Sequence, residues 1–253
     1  MRYLRPNDLD EALAAIDEGG LPLAGGSVLV PLIARGDLTP SAVVDVSRLA
    51  PLGEIRDEDG ELAIGAAVTL EAVARLPAAG EAALPEAAAG VGNPLVRRVG
   101  TVGGNLASGL PTADLVPALL VLDAETTWAG SEPARLLTTV TIRRDPGRCS
   151  GFAKFAWREA TGAAVASVAF AGVSRDGAVA EPRVAVGGLV APCRLERAEA
   201  ALTDRPWSER AIDEAATAAA RESAERSGLP ADDLRPRLVA LGLRRLLHRL
   251  GAA

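Results

Sequence analysis

Two Gly-Gly pairs constrain this chain more than any other feature. They lie in LAGGSVLVP (residues 23–31) and TVGGNLASGLPTADL (residues 101–115), each after an apolar segment and before a small polar residue, Ser27 or Asn105. Such a turn uses backbone conformations that glycine adopts without steric penalty, and it aims amide N–H groups outward. Two of them, more than seventy residues apart in the chain, predict a nest for phosphate oxygens, to which a following helix adds the positive end of its dipole. Neither lysine nor arginine is needed. Hydroxyl and amide groups at Ser27, Thr101, Asn105 and Ser108 supply further hydrogen bonds, which suits a pyrophosphate threaded between two turns and therefore a dinucleotide. Neither segment matches G-x-G-x-x-G or G-x-x-x-x-G-K-[ST], so a Rossmann nicotinamide site and a P-loop are poor readings. Taken alone, either pair also reads as a plain structural turn.

The rest of the chain narrows the classes. Its 253 residues, 49% of them apolar, are enough for one large domain or two to three smaller ones with a true core. A net charge of −6 and the lack of any basic run argue against a nucleic-acid or anionic-membrane surface. MRYLRPNDLDEALAAIDEGG carries charge every few residues, with neither a signal-peptide core nor a spanning helix, so a cytoplasmic protein is expected. Cys149, Cys193 and His248 have no zinc or iron–sulfur spacing, and no metal is expected on this chain. Lys154 is the one lysine among many arginines.

Along the chain the pattern is α mixed with β. RYLRP reads as a strand and Asn7 as the cap of a helix with Leu9, Ala12, Leu13 and Ile16 at helical spacing. Ser27 is placed to cap the segment holding Val28, Leu29, Leu32 and Ile33, with Pro31 still in its first turns. AVVDV and LAIGA read as buried strands, and Thr69 as the next cap. ADLVPALLVLDA predicts a short helix broken or kinked near Pro117, and ETTWAG and RLLTTVTIRR predict strands. DPG at 145–147 is the best internal boundary, dividing residues 1–146 from 147–253. Beyond it, GFAKFAWRE alternates as a strand, a hairpin turns at Asp176-Gly177, and three helices run from about 194 to 202, 208 to 226 and 231 to 250. Trp128, Trp157 and Trp207 are expected in the core or an interface, His248 at a partly exposed position, and both cysteines as inert small apolar residues.

AGGSVLVPLIARG, AVVDVSRLAPLGEI, LAIGAAVTLEAV and especially VRRVGTVGGNLASGLPTADLVPALLVLDA resemble the FAD-binding medium subunit of the molybdenum hydroxylases, the carbon monoxide dehydrogenase and xanthine dehydrogenase family. The similarity runs nearly end to end, since the hairpin closing on VGGL, the following P-x-R and the last helices are similar to the family's C-terminal domain. It implies an α+β fold of the PCMH type: two N-terminal α/β subdomains, about 1–54 and 55–146, that clasp one FAD, and a C-terminal domain with an antiparallel sheet flanked by helices. By motif position Ala24, Gly25, Gly26, Ser27, Val28 and Leu29 form a first FAD loop, and Thr101, Gly103, Gly104, Asn105 and Ser108 a second. Asp114 falls where the family has an acid directed at the flavin side; its other reading is an acid favoured by a helix N-terminus. Lys154 corresponds to the lysine of the family's F-x-K strand near the isoalloxazine ring, where a cation favours a reduced, anionic flavin; its other reading is an exposed strand lysine. The chain departs from the family between Gly130 and Leu136, which is shortened; Leu136 or Leu137 is expected to approach the flavin, and Leu137 is taken as the site residue.

The resemblance implies an electron-transfer flavoprotein subunit with no nucleophile or general acid of its own. A large subunit with a molybdenum cofactor and a small subunit with 2Fe-2S clusters are the implied partners, doubled to a hexamer, with NAD the first-choice acceptor and oxygen or a quinone the others. A scaffold or assembly subunit that keeps the fold without flavin, and a free-standing flavin oxidase, are the alternatives.

Overall fold

In a computed structural model the chain is described over residues 1–78, 80–132, 134–158, 162–189, 191–230 and 232–251. It forms two compact units whose segments interleave. The first holds Met1–Ala72, Pro94–Ser108 and Ala124–Arg143; the second holds Val73–Asn93, Gly109–Asp123 and Arg144–Ala253. Residues are thus grouped differently from a division in chain order at 146, because two early segments pack with the C-terminal residues.

In the first unit, strand Ala42–Asp45 lies between Arg2–Leu4 and Leu21–Leu23, all parallel. Parallel neighbours need crossovers, and helices Leu9–Asp17 and Leu29–Arg35 provide them. The first of these is capped by Asp8, whose Oδ1 accepts from Glu11 N at 2.8 Å, and not by Asn7. Asn7 instead donates its backbone N–H and side-chain amide to Glu11 Oε2, at 2.9 and 3.0 Å, so the capping box sits one residue later than its first polar residue suggests. Ala12 and Ile16 bury against Val44, Val46, Leu49 and Leu52. A four-stranded antiparallel sheet completes the unit, in the order Ile55–Glu58, Glu61–Gly65, Ala134–Arg143, Glu125–Ser131. Leu62 faces Ile142 and Ile64 faces Val140, all four buried, as period-two alternation requires. The Thr69 cap is present, its Oγ1 accepting from Ala72 N at 3.2 Å. Pro133, between strands Glu125–Ser131 and Ala134–Arg143, lies outside the described residues.

In the second unit the antiparallel order is Cys193–Arg194, Ala178–Gly187, Ala164–Arg175, Arg148–Ala156, with Arg205–Pro206 pairing on Ala178–Gly187. Asp176 and Gly177 turn the long hairpin with φ of 51° and 77°, the left-handed pair that matches strand twist. Helices cover both faces. Ala153, Phe155 and Val168 face helix Leu234–Gly251 at Gly242, whereas Phe152 and Lys154 face helix Ala83–Gly90 at Gly90. Helix Glu209–Ser227 packs on Leu234–Gly251, and Phe170, Val184, Val186, Leu243, Leu246 and Leu247 belong to the core beneath them.

Several expectations change. Helix Leu115–Val121 runs unbroken through Pro117, because Pro117 is its third residue and the missing N–H falls among donors that a first turn leaves without partners. The last helix begins at Leu234, and Ala231 lies outside the described residues, as does Glu159 at the end of GFAKFAWRE. Of the tryptophans, Trp207 packs edge-on against Phe170 at 6.0 Å, but Trp157 is 79% and Trp128 39% exposed, so neither is a core residue. Replacing Phe170, fully buried at the sheet–helix contact, by alanine opens a cavity and is expected to lower stability by about 3–5 kcal/mol in urea unfolding of the whole chain.

Candidate functional site

The first glycine turn joins strand Leu21–Leu23 to helix Leu29–Arg35. It rests directly on the end of helix Pro94–Val99: a Cβ on Gly25 would lie 1.7 Å from the Val99 carbonyl oxygen, so only glycine fits. Among the described residues no acceptor pairs with the backbone N–H of Gly25, Gly26, Ser27 or Val28. Those four residues, with Ala24 and Leu29, line a cavity of about 290 Å³. Ser27 is not the helix cap. The backbone is already helical at Val28, which takes the cap position without a side-chain bond, and the Ser27 hydroxyl lies instead close to Gly100.

The second Gly-Gly segment differs from expectation: it is a helix start, not an open turn. Thr101 caps helix Val102–Ala107, accepting from Gly104 N at its Oγ1 (3.1 Å) and from Asn105 N at its carbonyl (2.9 Å). Val102 N and Gly103 N donate to Val68 O and Ala66 O at 3.0 and 2.8 Å. Every amide from 102 to 105 is therefore spent, and Gly103 and Gly104 present no phosphate nest. Gly103 is needed for close packing, since a Cβ there would meet Ala66 Cβ at 2.8 Å. The segment instead supplies a wall, with Thr101, Gly104, Ala107 and Ser108 lining the same cavity as the first turn. Ser108 Oγ donates to Asn105 O at 2.7 Å.

A narrower space of about 120 Å³ in the same unit is lined by Ala24, Gly103, Gly104, Leu136 and Leu137 together with Trp128 and Arg135. Asn105 lines neither space. Leu136 and Leu137 both line this space. Trp128 and Arg135 were missed by sequence reasoning. Their signal was a tryptophan and an arginine on opposite arms of one hairpin, where the guanidinium comes to lie 4.9 Å from the ring centroid.

Asp114 and Lys154 belong to the other unit, where they form a buried ion pair. Lys154 Nζ donates to Asp114 Oδ2 at 2.6 Å and to Gly90 O at 2.8 Å, with the two side chains 12% and 2% exposed. An exposed strand lysine is excluded. Strand alternation turns Lys154 toward the Gly90 helix end, and Asp114, just before helix Leu115–Val121, makes no side-chain cap bond and reaches Lys154 instead. Burial pushes the Asp114 carboxyl above the usual aspartate range, and the charge and hydrogen bond of Lys154 hold that rise in check. Among the described residues Asp114 Oδ1 has no partner, and neither has the buried hydroxyl of Ser167, which pairs with Lys154 in the strand register. Ser167 too was missed; a serine at a sheet-centre position carries no signal until the register is known. Burial also raises both cysteine thiols, so neither is a ready thiolate, and His248 is exposed, its Nδ1 3.6 Å from Glu209.

Residues 1–146 match the family model described as the FAD binding domain in molybdopterin dehydrogenase, and residues 152–249 match the CO dehydrogenase flavoprotein C-terminal domain. The chain belongs to this flavoprotein family. It is an FAD-binding subunit of the molybdenum hydroxylase kind, with the PCMH-type fold that the sequence implied. The flavoprotein is 30% identical to the 6-hydroxypseudooxynicotine dehydrogenase complex subunit alpha of Paenarthrobacter nicotinovorans, over 86% of this chain and 82% of that one. It is 33% identical to the carbon monoxide dehydrogenase medium chain of Afipia carboxidovorans, in a match spanning 53% of this chain and about half, 49%, of that relative. The structure of reconstituted CO dehydrogenase from Oligotropha carboxidovorans superposes with a TM-score of 0.89 and 26% identity, covering 100% of this chain and 98% of that one. Among the described residues no helix is long and apolar enough to cross a membrane.

Two outcomes follow for the flavoprotein's stability. Thr101→Val removes the cap from a buried helix start and is expected to lower stability by roughly 0.5–2 kcal/mol in chemical unfolding. Lys154→Met leaves Asp114 buried without its cation, at a cost of about 3–5 kcal/mol near neutral pH. Folded Asp114 holds its proton more tightly than the unfolded chain does, so stability is withdrawn as pH rises above the ordinary aspartate range. The variant lacks the two interactions that restrain this shift. Its deficit is therefore smallest in acid and widens toward neutrality, as urea unfolding across pH will show.

Proposed function

We propose that this chain holds one FAD as an electron-transfer subunit, passing electrons from a partner's iron–sulfur clusters to NAD or another small acceptor. The carrying observation is the first glycine turn, where four backbone N–H groups without acceptors line a cavity. Amides so placed suit a pyrophosphate, which needs donors and gains from their fixed dipoles. Gly25, Gly26, Ser27 and Val28 would hold it, Ala24 and Leu29 would flank it, and Thr101, Gly104 and Ser108 would form the facing wall. Gly103 and Leu137 would shape the adjoining apolar space, and Asn105 would act by fixing the helix start. In the other unit, Asp114 Oδ1 offers a free acceptor beside a Lys154 ammonium that has used two of its three donors. An acceptor next to a donor is the pattern that the imide edge of a flavin ring complements. A bound flavin supplies the two-electron chemistry, and the chain supplies position and potential. A cation at Lys154 favours an anionic reduced ring, and the hydrogen bond to Asp114 holds the lysine side chain in place.

The same reading assigns this subunit to a cytoplasmic complex with a large molybdenum-cofactor subunit and a small 2Fe-2S subunit. Relatives named as members of a 6-hydroxypseudooxynicotine dehydrogenase complex and as medium chains support it. The purified full-length chain is expected to be yellow and to release one FAD per chain. Gly25→Ala, which forces the turn off Val99, is expected to weaken FAD binding at least tenfold while circular dichroism shows a folded protein. A folded wild-type chain that stays colourless with excess FAD overturns the proposal in favour of a flavin-free scaffold. Anaerobic NADH is expected to bleach the flavin band; no bleaching moves the acceptor to oxygen or a quinone.

A further inference from the structure

Helices Glu209–Ser227 and Leu234–Gly251 line a groove of about 370 Å³. It is lined by Ala220, Ala240 and Leu241 and by Arg221, Arg237 and Arg244. The arginines of these helices are otherwise partnered: Arg210 by Glu214, Arg226 by Glu222, Arg235 by Asp233, Arg249 by Glu86, and Arg245 by the Phe155 ring. Arg244 meets the exposed Asp213 at 2.6 Å. Arg221 and Arg237 have no partner among the described residues, and both line the groove. In a chain of net charge −6, two unneutralised guanidinium groups converging with a third on one groove form a local reversal of sign.

We propose that this groove docks an acidic amphipathic helix of a partner subunit, an inference that rests on the reading of the chain as part of a complex. Arg237 and Leu241 are four residues apart on one helix face, about 6 Å at 1.5 Å per residue, and Arg221 lines the groove from the other helix. The matching face carries carboxylates for the two unpaired arginines beside an apolar side chain for Leu241. Guanidinium forks pair carboxylates bidentately, and Leu241, 38% exposed, needs an apolar partner. A free phosphate would satisfy the arginines but leave that leucine uncovered, which is why a peptide is the better occupant.

The test uses the tagged full-length chain expressed with its partners in the native host, with a photo-crosslinking amino acid in place of Leu241. The cross-linked peptide, sequenced by mass spectrometry, is expected to come from a partner subunit and to carry at least two Asp or Glu residues. Arg221→Glu with Arg237→Glu is expected to cut partner recovery at least tenfold at unchanged FAD content and circular dichroism. An intact complex without a cross-link at position 241, a cross-linked peptide poor in acid, a cross-link to a second copy, or unchanged recovery of the double variant each overturns the docking proposal alone. Resonance shifts at these arginines with inorganic phosphate, without a cross-link, assign the groove to small anions and also overturn it. If wild-type chain containing FAD purifies with no partner at all, the complex reading itself fails and this proposal with it.

Discussion

The first unit's site depends on one backbone lying directly on another. At Gly25 the turn presses against the carbonyl of Val99, a contact that leaves no room for even a methyl group. Val99 ends one short helix, Gly100 follows, and Thr101 caps the next, so the seat of the first Gly-Gly segment is the approach to the second. One segment keeps unpaired amides on the cavity, and the other closes all of its own to brace it. This division of labour has a physical basis. A short helix start buried against strand residues must satisfy its amides internally, because each one left unpaired away from water carries a penalty of roughly 1–3 kcal/mol. A turn facing an open cavity is free of that demand.

The second unit solves a harder electrostatic problem. A lysine turned inward from a sheet needs an anion and an acceptor at short range, and Asp114 and Gly90 supply them. Asp114 is over-buried for a simple ion pair. Its second oxygen has no partner among the described residues, and desolvation raises its carboxyl despite the adjacent ammonium. Buried ion pairs add little net stability over apolar packing of the same volume, so an incompletely satisfied one points to a role other than holding the fold together. The same reasoning separates this pair from the arginine–carboxylate pairs on the last helices, which are largely exposed and contribute little individually.

Much was legible in the residues. Alternation in LAIGA and RLLTTVTIRR located strands whose Leu62–Ile142 and Ile64–Val140 pairs are buried, and Asp176-Gly177 located the hairpin. The motif from Thr101 to Asp114 was specific enough to name the family that the whole chain matches. Helix caps were read one residue off at Asn7 and Ser27. Several small polar residues near a helix start compete for the cap, and the backbone dihedrals choose among them. Of the two places expected for Trp157, a core or an interface, the core is excluded, since burial depends on what packs against a strand end and not on the residue alone.

By itself the sequence determined local matters: where glycine must stand, which segments alternate, which single lysine breaks the arginine usage, and the family. Only the tertiary structure decided which amides are free. A hydrogen bond is a property of two positions, and the partners of Val102 and Gly103 lie more than thirty residues earlier, at Val68 and Ala66. Two Gly-Gly segments therefore serve opposite purposes, one open and one closed, because the chain folds different neighbours against them. The Lys154–Asp114 pair and the convergence of Arg221 with Arg237 have the same origin, since both join residues that the chain order keeps apart and the fold brings together.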